Sequence, residues 1–214
     1  MKVVVYVEGP GDRACLETLL QPLIETKAAH GISIRFVPMT RGDRKSELLR
    51  NTPIKAANAI LNDREIVIVI LPDLYPPNKV FPHATCDEMQ AGTMKAFRAA
   101  ITRKDTWDDR FVQRFHVFCL IHDLEVLLLA AEEALLAEVE ASEVTWKRPP
   151  EEQNHHQPPK RIVETLIPGY APTVDGPRIL EGADYSVIAG RCPKGFGRFV
   201  HFLEALEGRR AVRE

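Results

Sequence analysis

The sequence has no excess of charge of either sign. Its 28 Lys and Arg residues are nearly balanced by 30 Asp and Glu residues, for a formal net charge of −2. This balance argues against a broad basic face of the kind that covers nucleic acid by bulk charge. Any contact with nucleic acid must therefore use a local basic patch or a bound metal ion.

The sequence also lacks several common motifs. Its four cysteines are scattered without a CxxC pair, so we expect no structural zinc site, and we expect Cys15 and Cys119 to be reduced core residues. It contains no P-loop, GxGxxG loop or GxSxG elbow. No run approaches the roughly 18 apolar residues that cross a bilayer. The first apolar run is too short for a signal peptide, so we expect a cytoplasmic protein without membrane contact.

Strands and helices alternate along residues 1–139. The β-branched run at 2–7 predicts a strand covered on both faces. Further strands are predicted at 31–38, 65–71 and 114–121, and helices at 12–29, 54–62, 86–103 and 123–140. This alternation predicts an α/β fold with a mostly parallel four-stranded sheet flanked by helices.

The pattern changes at residues 140–214. A polar, proline-rich loop comes first and is followed by short helical segments at 159–167, 175–181, 184–190 and 195–207. We predict that residues 1–139 form the α/β core. Residues 140–214 are expected to form a helical extension packed on that core rather than an independent domain.

Acidic residues follow three of the predicted strands. Glu8 and Asp12 come after the first strand, Asp73 after the third, and Asp123 and Glu125 after the fourth. Because ligands bind outside the carboxyl ends of parallel strands, these carboxylates are expected to meet at one edge of the sheet. Oxygen ligands of this kind suit Mg²⁺ or Mn²⁺. Each acid also has a simpler interpretation, as a helix cap, a turn residue or a solvated side chain.

The first strand, the "EG" of Glu8 and Gly9, the helix that follows and an acid after a later buried strand resemble the pattern of Toprim domains, which occur in topoisomerases, primases and the nucleases named for the overcoming-lysogenisation-defect (OLD) protein. More closely, the chain is similar to a bacterial family of Toprim-like proteins catalogued as a domain of unknown function. Three short motifs carry this closer resemblance, "VEGPGD" at 7–12, "DLYPPN" at 73–78 and "IHDLEVLLLA" at 121–130. The C-terminal part resembles the same family at Lys160, Arg161, Tyr170 and Gly176, and in "RCPKGF" at 191–196.

The resemblance implies a Toprim-like fold and a metal-dependent phosphoesterase, such as a nuclease acting on DNA or RNA. Glu8, Asp73 and Glu125 would hold one or two Mg²⁺ or Mn²⁺ ions, with Asp12 and Asp123 either as further ligands or as acids that support the ligands. The resemblance makes Lys160 and Arg161 candidates to neutralise the scissile phosphate. It also implies a role in bacterial defence beside an ATPase partner.

Two departures from the family pattern leave a second hypothesis open. Toprim catalytic domains commonly carry "DxD", but this chain has "DLY" at 73–75, which favours a non-catalytic binding or regulatory module. The glycine-rich loop is reduced to "TRGDRKSE" at 40–47. In that stretch Arg41, Arg44 and Lys45 are either phosphate-binding residues or part of a solvated charged loop.

The dipeptide His122–Asp123 suggests a third hypothesis, a metal-dependent phosphohydrolase. Enzymes of that kind need further histidines at set places on helices. The other candidate histidines, such as His155 and His156, lie in strands or proline-rich loops and form no helical ligand pair.

Overall fold

The computed structural model describes residues 1–139 and 144–207. Its centre is a four-stranded sheet in the order β2-β1-β3-β4 in which every pairing is parallel. The predicted α/β class is therefore confirmed. The strands are β1 (Lys2–Val7), β2 (Ser33–Pro38), β3 (Ile66–Leu71) and β4 (Phe115–Val117).

The strand order creates a crevice beside β1. The chain places β2 on one side of β1 and then crosses over to place β3 on the other side. A reversal of this kind opens a cleft at the carboxyl ends of the two strands where the order switches. Val7 is in register with Leu71, so the residues that follow, Glu8 and Pro72, start side by side at this switch point.

Helices cover both faces of the sheet, because the strand side chains alternate in direction. In β1, Val3, Val5 and Val7 pack into a large apolar cluster with the C-terminal helices, whereas Val4 faces a second cluster on the opposite side. The helices of residues 1–139 are α1 (Pro10–Leu19), α2 (Gln21–Ala29), α3 (Arg44–Asn62), α4 (Cys86–Thr102), α5 (Glu125–Ala130) and α6 (Glu132–Ala137).

Four short helices follow the proline-rich segment, close to the predicted positions. They are α7 (Pro159–Leu166), α8 (Asp175–Leu180), α9 (Tyr185–Arg191) and α10 (Phe196–Ala205). The Phe199 ring of α10 meets the Phe36 ring of β2 edge-on, with 6.4 Å between ring centroids. The C-terminal helices thus contribute directly to the core that covers one face of the sheet.

Several predicted boundaries are wrong for local reasons. The segment 12–29 forms two helices, because Pro22 lacks the N–H that a continuous helix would need there. The helix predicted at 54–62 begins ten residues earlier, at Arg44, where Asp43 accepts a hydrogen bond from the Ser46 N–H at 3.1 Å. The helix predicted at 123–140 divides at Ala131, and residue 140 lies outside the described residues.

The fourth strand is also shorter than predicted, and one cysteine prediction is wrong. After Val117 the chain leaves β4 and meets the end of β3 through a bridge between Asp73 and Leu120. Cys119, expected to be reduced, is bonded to Cys86 at the start of α4, with 6.0 Å between the two Cα atoms. Cys15 is a buried free thiol, as expected.

Candidate functional site

The five predicted acids line one cavity of about 400 Å³ at the carboxyl ends of the strands. We call it the acidic cavity and define it by Glu8, Asp12, Asp73, Asp123 and Glu125. They come from four separate places, the ends of β1 and β3, the first turn of α1, and the segment that leads into α5. The fold therefore brings together residues that are more than 100 positions apart.

Glu8 and Asp73 are linked directly. The Asp73 backbone N–H donates a hydrogen bond to Glu8 Oε1 at 3.0 Å, which fixes one carboxylate oxygen at the switch point of the sheet. Burial raises the pKa of Glu8, and burial together with Glu8 and Asp12 raises the pKa of Asp73 well above its ordinary value. The Asp73 carboxylate thus lies where a negative charge is poorly solvated and repelled by its neighbours.

Asp12 stabilises the start of α1 as well as lining the cavity. One simpler interpretation of Asp12 is a helix N-cap, but Gly9 holds that position and Asp12 is the third residue of the helix. Its Oδ2 accepts a hydrogen bond from the Gly9 N–H at 2.7 Å. Burial raises the pKa of Asp12 to about 6, with Glu8 acting in the same direction.

Asp123 and Glu125 form the other side of the cavity. Burial and the adjacent Glu125 raise the pKa of Asp123 to about 7, although its Oδ1 accepts a hydrogen bond from the Lys160 N–H at 3.2 Å. Glu125 is only 4% exposed, and burial raises its pKa. In all five acids burial is the largest cause of the raised pKa, so the cavity disfavours the charged form of each carboxyl group.

Two of the predicted cationic residues line the same cavity. Arg44, from the first turn of α3, and Lys160, from the first turn of α7, are both exposed and stand at its rim. The Arg44 guanidinium lies close to Gly9, where an added Cβ would be 3.0 Å from Nη1. Exposed cations at the rim of an acidic cavity are free to meet an anionic ligand.

The other predicted cations have different positions. Lys45 is buried, lies 3.6 Å from Glu8 Oε1 and donates a hydrogen bond to the Pro76 carbonyl at 2.8 Å. Arg41 is exposed and does not line the cavity. Arg161 is exposed and donates a hydrogen bond to the His156 carbonyl at 3.3 Å. Lys45 is thus an internal counter-ion for Glu8.

Further residues that the sequence did not indicate as site residues complete the cavity. Pro172 and Thr173, in the turn before α8, close its wall. Tyr170 stands behind Glu125, and its buried hydroxyl makes no hydrogen bond of ordinary length within the described residues. Burial and the nearby Glu125 carboxylate raise the pKa of Tyr170. Its match to the family motif was the one signal in the sequence that pointed to this region.

The surroundings of His122 do not support the hypothesis of a histidine metal site. Its buried ring lies beside Tyr75 and His155, with centroids 5.7 Å and 6.0 Å away, in a pocket next to the acidic cavity. Burial, together with His155, lowers the pKa of His122. Tyr75, at the position of the second acid of "DxD", lines this neighbouring pocket and not the acidic cavity.

A larger cavity of about 770 Å³ lies at the opposite end of the sheet, around Trp107, Phe111 and the residues that precede β3 and β4. Its acids are not crowded together, since Asp108 is already paired with Arg110. We place the candidate site in the smaller, acidic cavity, because of these two cavities it is the one on which five carboxylates converge.

No three His, Cys, Asp or Glu side chains within residues 1–139 and 144–207 are already set at distances that hold a metal ion. The donor set nevertheless suits a hard cation. All five side chains are carboxylates, and burial raises the pKa of each. Mg²⁺ typically uses one or two carboxylates and keeps several waters, so it does not need a closed cage of protein ligands.

A family model described as a domain of unknown function (DUF4276) matches residues 7–204. Among solved structures, the chain is similar to the C-terminal region of the Burkholderia pseudomallei OLD protein. The TM-score is 0.49 and the sequence identity 16%, and the match covers 94% of this chain and 96% of that chain. No curated protein matches the sequence. No helix among the described residues is long and apolar enough to cross a membrane.

Proposed function

The chain belongs to the DUF4276 family of domains of unknown function, and from its acidic cavity we propose that it is a Toprim-type phosphodiesterase that uses Mg²⁺ or Mn²⁺ to cleave nucleic acid. One observation carries this proposal. Five carboxylates converge on a cavity of about 400 Å³ that has exposed cations at its rim. Crowded carboxylates are stabilised by a divalent ion, and a divalent ion with nearby cations suits phosphodiester hydrolysis.

The chain's own residues divide into two groups in this proposal. Glu8, Asp73 and Glu125 hold the ion, with Asp12 and Asp123 as further acids. When bound, the ion supplies electrostatic stabilisation of the phosphoryl group and activation of water. Arg44 and Lys160 neutralise the phosphate at the rim.

The roles of the remaining predicted cations are narrower. Lys45 acts through Glu8, which it holds by charge at 3.6 Å, and not through direct contact with phosphate. Arg161 and Arg41 are exposed and do not line the cavity, so they would contact only a longer substrate. An ATPase partner and a role in bacterial defence are expected from the sequence resemblance alone.

A second function is favoured by two specific observations. Tyr75 occupies the place of the second "DxD" acid and lines the neighbouring pocket, and Lys45 already compensates the charge of Glu8. Both features reduce the need for a metal ion. They favour a binding or regulatory module that does not turn over its ligand.

One experiment separates the two functions. Single- and double-stranded DNA and RNA are incubated with the protein in Mg²⁺ or Mn²⁺, and metal binding is measured by calorimetry. We expect cleavage that requires the metal and that falls by about 100-fold or more in Glu8→Gln and Asp73→Asn. Loss of a residue that merely orients a ligand already costs roughly 10- to 100-fold, and loss of a ligand should cost more. Glu25→Gln, an exposed acid on α2, is the matched control and should retain full activity.

Two results would count against the enzyme. Cleavage that persists in both variants would remove the acidic cavity from the mechanism. Metal binding that the same substitutions abolish, without cleavage of any substrate, would support the module instead.

A further inference from the structure

A second pocket adjoins the acidic cavity and has a different chemical character. It has a volume of about 390 Å³, within the range of small-ligand sites. We call it the proline pocket and define it by Tyr75, Pro76, Pro77, His122, His155 and Pro158. Asp123 lines both this pocket and the acidic cavity, so a ligand bound in one lies next to the other.

The aromatic rings of the proline pocket form one connected wall. The centroids of Tyr75 and His155 are 4.2 Å apart with the rings edge-on, and His122 lies within 6.0 Å of both. His122 is buried and held by hydrogen bonds to the backbone of Glu151 and Gln153. His155 is exposed and Tyr75 is half-buried, so ring surface remains open to a ligand.

Proline rings, which are conformationally restricted, form another part of the lining of the proline pocket. Pro76 and Pro77 are exposed, although they lie among apolar side chains. The Pro76 carbonyl accepts a hydrogen bond from Lys45 Nζ at 2.8 Å, and the same ammonium lies 3.6 Å from Glu8 Oε1. Lys45 therefore links Pro76 in the proline pocket to Glu8 in the acidic cavity.

A pocket lined by aromatic and proline rings, next to the proposed phosphodiester site, fits one class of ligand. We propose that the proline pocket binds an unpaired nucleobase adjacent to the phosphate held in the acidic cavity, an inference that rests on the proposed function. Bases stack on aromatic side chains with little dependence on sequence. A paired base is inside its duplex and cannot enter, so the substrate is single-stranded or has a base turned out of the helix.

The continuity of the two pockets at Asp123 favours a nucleotide over a side chain of a partner protein. A nucleotide has an apolar ring and an anionic group a short distance apart, which matches one apolar pocket beside one cation-binding cavity. An aromatic side chain of a protein would fill the proline pocket and leave the acidic cavity without a ligand. That second occupant is an outcome of the test below.

The test measures binding and cleavage of three labelled oligonucleotides in Mg²⁺. One is single-stranded, one is the same strand with a single abasic position, and one is the duplex. We expect the intact strand to bind about tenfold tighter than the abasic strand when the missing base is the one that would occupy the proline pocket. Stacking of one base contributes an effect of this size. The duplex should be cleaved more slowly than the single strand.

Variants connect this preference to the pocket. In Tyr75→Ala the intact strand should bind only as well as the abasic one, whereas Tyr75→Phe, which keeps the ring, should bind like the wild type. His155→Ala gives a second check, because its exposed side chain can be removed without disturbing the fold. A preference for the intact strand that is equal in wild type, Tyr75→Ala and His155→Ala would overturn the proposal.

The outcomes also separate this proposal from the proposed function. Metal-dependent cleavage with no difference between intact, abasic and duplex substrates would overturn the base pocket alone. A base preference that depends on Tyr75, without any cleavage, would overturn the phosphodiesterase and keep the pocket. Absence of both cleavage and binding would overturn both, and would leave a partner protein as the occupant.

Discussion

Asp73 is the residue at which the electrostatic state of the site is easiest to test. Burial is the largest cause of its raised pKa, and the charges of Glu8, Asp12 and Asp123 act in the same direction. Its backbone N–H, by contrast, is used to hold Glu8. A substitution that removes only the charge of Asp73 therefore keeps the local structure and relieves the repulsion.

We expect Asp73→Asn to be more stable than the wild type in the absence of divalent metal at pH 7.5. The gain should be on the order of 1 kcal/mol, or a rise in Tm of about 2–4 °C for a chain of this size. Thermal unfolding followed by circular dichroism measures it. Asp105→Asn, at an exposed position, is the control and should leave Tm unchanged. A lower Tm in Asp73→Asn would mean that the carboxylate is already compensated.

The raised pKa values also predict a pH dependence for the metal-free protein. Asp12 and Asp123 have pKa values of about 6 and about 7 in the folded state, against 3.8 for an ordinary aspartate. Between these limits the folded state binds more protons than the unfolded state, so stability falls as pH rises. We expect the free energy of unfolding to increase when the pH is lowered from about 7.5 to about 5.

Denaturant titrations at a series of pH values, with and without Mg²⁺, check this dependence. Bound metal should stabilise the protein most at the higher pH, where the carboxylates are ionised, and should flatten the curve. Below about pH 4 the trend should reverse. Hydrogen bonds lower the pKa of Asp63 and of Asp108, chiefly the bond that Asp63 accepts from the Glu65 backbone and the bond that Asp108 accepts from the Arg110 side chain. Both carboxylates lose this stabilisation when they are protonated. A metal-free curve that is flat between pH 5 and pH 7.5 would contradict the crowding of charge in the cavity.

Among the elements, those with a strong apolar pattern were predicted well from the sequence. The first three strands and the four C-terminal helices lie close to their predicted positions, and the fourth strand lies within its predicted range but is shorter. The misplaced boundaries depend on single residues, such as the Asp43 cap and Pro22, whose effect is decided by the local backbone conformation. The acids at the strand ends were found because parallel strands share one carboxyl end. Lys45 was not recognised as a counter-ion, because its burial depends on how α3 packs.

The packing of α8 against α1 gives a test at the scale of elements. Gly176 lies so close to α1 that an added Cβ would be 2.5 Å from Cys15 Sγ and 3.3 Å from the Tyr170 hydroxyl. We expect Gly176→Ala to lower the free energy of unfolding by about 1–3 kcal/mol, because the core has no space for a methyl group. Denaturant unfolding measures the loss.

Gly190 in α9 provides the matched control. No atom lies within 4 Å of a Cβ added there, and its φ is not in the left-handed region. Gly190→Ala should therefore stabilise the protein by about 0.5–1 kcal/mol through the helix preference of alanine. If the two substitutions had the same effect, close approach of α8 and α1 could not be the reason for glycine at position 176.

At the scale of the whole molecule, the sheet separates two apolar clusters. Trp146 belongs to the cluster that the C-terminal helices share with β1 and β2, and Trp107 packs on the cluster of α3 and α4 on the other face. The strands belong to both clusters, because alternate side chains of each strand face opposite sides. Because of this arrangement, we expect the α/β core at 1–139 and the C-terminal extension at 140–214 to unfold as one cooperative unit.

Phe199→Ala tests this cooperativity, since Phe199 is fully buried in α10 and contacts both Phe36 and Phe118. We expect a loss of about 3–5 kcal/mol, because removing a buried phenyl ring leaves a cavity. In both the wild type and Phe199→Ala, Trp107 or Trp146 is replaced by Phe, so that the fluorescence of the remaining tryptophan reports unfolding on one face of the sheet. Both tryptophan probes should show the same lowered unfolding midpoint. Val187→Ala, at an exposed position, should shift neither midpoint.

If the midpoint fell only in the variant whose remaining probe is Trp146, the two faces of the sheet would unfold separately. The acidic cavity, which takes residues from both parts of the chain, would then lose Lys160, Pro172 and Thr173 before the sheet itself unfolds.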